Sequence, residues 1–177
     1  MSPEIASAFR GTCRQVGGCV RRGALPRKFG GMPTPSIWSE ADIRLRFVAE
    51  LLKGGHVCLE DLHLEATGYG VGPIDLALVG AADSARACDA SSRGKFRTGE
   101  FPLDGAIEFA VLQELGPRNV YGEEKLREIS GKLEILRGYY PAALLATAVL
   151  VRAEHPPIAP EPVNGVENWV EWVPFPS

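Results

Sequence analysis

Two acidic residues stand where an apolar strand normally excludes charge: Asp75 in Gly72-Pro73-Ile74-Asp75-Leu76 and Glu108 in Ala106-Ile107-Glu108-Phe109-Ala110. A carboxylate in such a run is costly unless it is solvated, paired with a base or bound to a cation. Two of them in separate strands point to a metal site. The structural alternative is that Asp75 pairs with an arginine such as Arg44 or Arg127 while Glu108 faces solvent at a strand edge. A third acid, Glu40, follows Ser39 at the start of a helix, where it also suits the helix dipole. Glu50 shares a stripe with Arg46 and is the weaker candidate.

The elements that must position these acids follow from pattern. Ser39 and Asp42 have capping-box spacing, and a helix over 39–53 places Leu45, Val48, Leu52, Ile43, Phe47 and Leu51 on a wide apolar face. Gly54-Gly55 ends it. Val57, Leu59, Leu62 and Leu64 are strand-like, with an alternation that slips at Glu60-Asp61 and so predicts a bulge or tight turn there. The short apolar run 74–79, bounded by Gly-Pro and Gly80, reads as an interior strand. Residues 81–104 form a long loop, followed by a strand over 107–112.

A second helix over 122–137 carries Leu126, Ile129, Leu133 and Leu136 on one face, with Gly138 past its end. Gly131 in its middle costs roughly 1 kcal/mol against Ala, which suggests close approach of another backbone. The run 143–151 reads as a buried strand, with a short buried helix as the alternative. Pro156, Pro157, Pro160 and Pro162 make an extended linker. The tail alternates Trp169, Glu171 and Val173 against Val170 and Trp172, as an edge strand or an exposed docking segment. The fold class is therefore α/β (α+β mixed), a helix-strand-strand-strand-helix-strand core with a mixed central sheet flanked by helices.

At 177 residues with 45% hydrophobic content, the chain suits one domain with a full core. Its net charge of −3 provides no basic footprint for nonspecific phosphate binding. Six of its bases, Arg10, Arg14, Arg21, Arg22, Arg27 and Lys28, lie in residues 1–31 against Glu4 alone, which makes +5 there and −8 in the remainder. That Gly- and Arg-rich stretch reads as a flexible basic arm, 1–31, ahead of a core domain at 32–155 and a Pro-rich linker with an aromatic strand at 156–177. Met32 is a candidate natural start. No apolar run is long enough to span a membrane and no secretory h-region is present, so the expected location is cytoplasmic. Cys13, Cys19, Cys58 and Cys88, like His56, His63 and His155, lack zinc-ligand spacing. The glycines of 68–72 precede a strand and lack a Gly-Lys-Ser/Thr ending, which excludes a phosphate loop.

In element order and in the pieces Gly72-Pro73-Ile74-Asp75-Leu76-Ala77-Leu78, Ala106-Ile107-Glu108-Phe109-Ala110 and Lys132-Leu133-Glu134-Ile135-Leu136, the chain over about 37–153 resembles the PD-(D/E)XK nuclease-like superfamily. The resemblance implies that Asp75 and Glu108 converge where adjacent strands diverge and hold Mg²⁺, with the Phe109 carbonyl as a third ligand and Glu40 as an auxiliary acid. It also implies phosphodiester hydrolysis of nucleic acid. The family lysine two residues after the glutamate is here Ala110, which offers no charge. Lys125, Lys132 or Gln113 are the candidates to replace it.

A rival reading is a catalytically inactive binding or assembly module of the same fold. The missing lysine, the acidic core and a tail with Trp169, Trp172 and Phe175, suited to a homodimer or a protein partner, favour it. The arm could separately lend affinity for nucleic acid. The metal reading requires that Asp75 and Glu108 share one site; on opposite faces, or with each acid locked to its own basic neighbour, the hydrolase interpretation collapses.

Overall fold

The computed structural model describes residues 2–21, 39–80, 101–112, 120–152 and 165–173. The elements run α1 (Ser2–Arg21), α2 (Glu40–Lys53), a 3₁₀ turn (Leu59–Asp61), β1 (Leu62–Ala66), β2 (Ile74–Leu78), β3 (Gly105–Leu112), α3 (Val120–Tyr139), β4 (Leu144–Arg152) and β5 (Glu167–Val173). The five strands form one sheet in the order β1-β2-β3-β4-β5. β1, β2 and β3 pair antiparallel, whereas β3, β4 and β5 pair parallel. This is the mixed sheet of an α/β fold.

Helices cover both faces, so β3 and β4 are buried almost throughout, as their near-continuous apolar runs require. On one face Ile43, Phe47 and Leu51 of α2 and Ile5, Phe9, Cys13 and Val16 of α1 pack on Leu76, Ile107, Phe109, Ala148 and Trp169. On the other, Ile129, Leu133 and Leu136 of α3 pack on Ala77, Ala106, Ala110, Leu145 and Val149. Phe47 stacks edge-on to Phe109 with centroids 5.5 Å apart, at the centre of the first core. Gly105 lies between Leu78 and Leu144 in the ladder, where a Cβ would come within 3.1 Å of the Leu144 carbonyl oxygen.

Several local expectations hold. Ser39 and Asp42 form a reciprocal capping box, and Gly54 caps α2, with Gly55 at φ +65 after it. The slip at Glu60-Asp61 is the 3₁₀ turn. Residues 144–152 are a strand and not a helix.

Other expectations are corrected. Residues 2–21 are not a flexible arm: α1 is an amphipathic helix whose Ile5 and Phe9 have no exposed surface. The core therefore extends beyond 32–155 at both ends, since β5 belongs to the sheet. A start at Met32 would strip the cover from Phe47, Phe109 and Trp169, all of which Phe9 meets. Trp169 is buried, with its indole N–H donating to Glu167 at 2.8 Å, so it is part of the core and not a docking surface. Trp172, at 36% exposure, is the tail tryptophan that reaches solvent. Leu45 is exposed and not part of the α2 core face. α3 runs through Gly138 to Tyr139, and among the described residues nothing lies within 4 Å of a Cβ placed at Gly131, so no described backbone approaches there. Most of the expected 81–104 loop, Gln113, the proline linker and Phe175 lie outside the described residues.

Candidate active site

The β2–β3 ladder ends at the pair Leu76↔Ile107, and the next pair of positions in that register is Asp75 and Glu108. There the side chains take over the bonding. The Phe109 N–H donates to Asp75 Oδ2 at 2.8 Å, and the Asp75 N–H donates to Glu108 Oε1 at 3.3 Å. The two acids expected to converge are thus joined at one point of the sheet, and opposite faces are excluded.

Each acid also has a base. Arg44 Nη2 stands 3.1 Å from Asp75 Oδ1, and Lys132 Nζ donates to Glu108 Oε1 at 2.8 Å. Pairing of Asp75 with Arg44 was the structural alternative for that residue. Both bases are shared, however: Arg44 also pairs with Glu65, and Lys132 also donates to the Pro73 carbonyl. The second partner of Lys132 is an uncharged carbonyl, so Glu108 keeps a cation of its own, whereas Asp75 shares Arg44 with Glu65. Glu108 is buried at 3% exposure, so it does not face solvent as its structural alternative supposed.

Burial pushes the Glu108 carboxyl up to about 7, held back by the Lys132 hydrogen bond and raised further by the charge of Asp75. One ammonium does not compensate this group fully. A cavity of about 370 Å³ opens beside it, lined by Glu40, Asp75, Glu108, Phe109, Tyr121, Glu124, Lys125, Glu128, Ile129 and Lys132. Five of these are acids against two lysines, so the lining favours a cation.

Glu40 lines this cavity from the first turn of α2, with its carboxylate on Lys125 Nζ. Among the described residues no three His, Cys, Asp or Glu side chains are grouped to hold an ion, so Glu40 does not complete a three-acid shell in this arrangement. Two carboxylates nevertheless fit Mg²⁺ in kind, because that ion retains waters and takes few protein ligands. Of the lysines that the resemblance offered as candidates, Lys132 is the one that meets Glu108, while Lys125 meets Glu40. Ala110 itself is buried against α3, in the second core.

Tyr121, Glu124 and Glu128 were not foreseen as lining residues. Their signal is periodicity, since 121, 124, 125, 128, 129 and 132 make one stripe of α3. The charged end of that stripe faces the cavity, and the apolar stripe of Ile129, Leu133 and Leu136 next to it faces the sheet.

No described helix is long and apolar enough to cross a membrane. Comparison of the chain with protein-family models, with curated proteins and with solved structures returns no match.

Proposed function

We propose that the cavity is the active site of an Mg²⁺-dependent phosphodiester hydrolase acting on nucleic acid, with Asp75 and Glu108 as the metal-binding carboxylates. The observation that carries this reading is that Asp75 and Glu108 stand as neighbours at the end of the β2–β3 ladder, on one cavity with Lys132. Lys132 supplies from α3 the cation that Ala110 cannot. When bound, Mg²⁺ supplies Lewis-acid polarisation of the phosphodiester and a bound water of lowered pKa. The chain's own part is positioning. The Phe109 N–H fixes Asp75 Oδ2, and the Asp75 N–H and Lys132 fix Glu108 Oε1. Lys132, held also by Pro73, presents a preorganised positive charge toward the charge that develops at the phosphorus oxygens. Glu40 of α2 orients Lys125, which lies on the same stripe of α3 as Lys132.

The test is a titration of Mg²⁺ or Mn²⁺ against the intact protein, with nicking of plasmid and single-stranded DNA followed in parallel. Nicking that falls at least about 100-fold in Asp75→Ala, Glu108→Ala and Lys132→Met supports the proposal. Absence of both metal binding and nicking in the intact protein removes it.

A second reading, an inactive binding module, is favoured by one observation: the Arg44–Asp75 and Lys132–Glu108 pairs already give both acids a cationic partner. On that reading, deletion of the chain beyond Pro160 would convert a dimer into a folded monomer, as light scattering would read. The burial of Trp169 in the core favours aggregation instead.

A further inference from the structure

We infer that Arg44 is a built-in competitor for the cation at Asp75, and that Glu65 sets how strongly it competes; this rests on the metal-binding reading of the site. The guanidinium of Arg44 spans two acids, with Nη2 at 3.1 Å from Asp75 Oδ1 and Nη1 on Glu65 Oε1. Its side chain is 13% exposed, that of Asp75 17% and that of Glu65 59%. One acceptor is therefore inside the site and the other at the surface. Arg44 Nε is buried without a partner, so the guanidinium is held by its two terminal nitrogens alone.

Glu65 is placed by an unusual backbone. Among the described residues it is the non-glycine residue with a positive φ, +50, within β1 between the pairs Leu64↔Leu76 and Ala66↔Ile74. A left-handed residue with a long side chain is disfavoured there, and such a conformation persists only where its surroundings hold it. The pair with Arg44 is a contact that does so. The kink thus sets a carboxylate at the sheet edge where it draws the guanidinium away from Asp75.

A guanidinium does not lose its charge in a protein, so Arg44 cannot yield to an incoming cation by deprotonation. It can yield by moving onto Glu65 alone. Lys132 differs, because its anchor at the Pro73 carbonyl keeps it at Glu108 whatever occupies Asp75. Cation affinity at Asp75 then depends on the balance between two positions of one side chain, and a ligand shifts that balance only by its differential affinity.

Mn²⁺ binding to the full chain without nucleic acid, read by electron paramagnetic resonance, tests this. Arg44→Gln removes the competitor, and binding tightens roughly tenfold, within the usual range for linked sites. Glu65→Gln removes the acceptor that draws Arg44 outward, and binding weakens severalfold. Circular dichroism reports folding, and if Arg44→Gln does not fold, weakened binding in Glu65→Gln decides the matter. Shifts in the same direction, or none, in the two variants overturn the inference while leaving the metal site in place. Absence of Mn²⁺ binding in the wild type and in Arg44→Gln alike overturns the metal site and the inference with it. Binding that emerges only in Arg44→Gln supports both.

Discussion

Asp75 and Glu108 close the β2–β3 ladder with their side chains: one accepts the Phe109 N–H, and the other accepts the N–H of Asp75 itself. Where the main-chain pairing stops, two carboxylates stand in for carbonyl oxygens. Both acids are therefore structural before they are anything else. Asp75→Ala leaves the Phe109 N–H without its acceptor and Arg44 with Glu65 alone, at a cost of about 2–3 kcal/mol. Asp75→Asn keeps an acceptor oxygen and costs about 1 kcal/mol. Urea denaturation of the two variants checks the difference, and equal losses would refute the ladder role.

Glu108 makes stability depend on pH in metal-free buffer. Its carboxyl rises from the ordinary 4.5 to about 7 in the fold, so the native state holds a proton that the unfolded chain has released. The contribution is fully present below pH 4.5 and is lost as pH rises through about 7, amounting to up to about 3 kcal/mol. Glu108→Gln flattens that slope. Lys132→Met, which removes the hydrogen bond that holds the carboxyl down, moves the midpoint above 7. Chemical denaturation at a series of pH values in chelator checks the slope, and carbon NMR of the carboxyl checks the midpoint.

α1 carries the first core. Phe9 has no exposed surface and meets Phe47, Phe109 and Trp169 at centroid distances of 6.1, 6.4 and 6.3 Å. Phe9→Ala costs about 3–5 kcal/mol. Deletion of residues 1–21 uncovers the aromatic cluster and yields a species that binds a hydrophobic dye and unfolds without a sharp transition. A truncated chain with wild-type thermal unfolding would contradict this.

Gly131 is the inexpensive site for stabilisation. Among the described residues a Cβ there meets nothing within 4 Å, and the residue sits inside α3. Gly131→Ala gains about 1 kcal/mol, or about 2–4 °C in Tm by differential scanning calorimetry, with any metal binding unchanged.

Much of this was legible in the chain. The caps of α2, the strands around Asp75 and Glu108, and the apolar stripe of α3 are local patterns that tertiary packing did not override. α1 was not legible, because Gly11, Gly17 and Gly18 dilute its signal and its burial depends on partners as distant in sequence as Val173. The role of Trp169 was hidden for the same reason, since alternation distinguishes two faces without telling which is covered. The adjacency of the two acids was what the family resemblance implied. Arg44 and Lys132 were among the named bases, but the chain did not choose Arg44 over Arg127 or Lys132 over Lys125, because helix rotation decides which base reaches the sheet. The shared placement of Arg44 depends on the left-handed backbone of Glu65, which no residue type announces.

The chain's first helix and its last strand seal the same aromatic cluster, with Phe9 of α1 against Trp169 of β5. During synthesis, α1 leaves the ribosome long before the strand that must lie beside it exists. The hydrophobic stripe of the helix can meet Phe47 of α2 early, but its contact with Trp169 waits until β5 has emerged, so that closure joins widely separated segments. Completion of this core therefore waits for β5, and a nascent chain halted short of it would present an open, adhesive face.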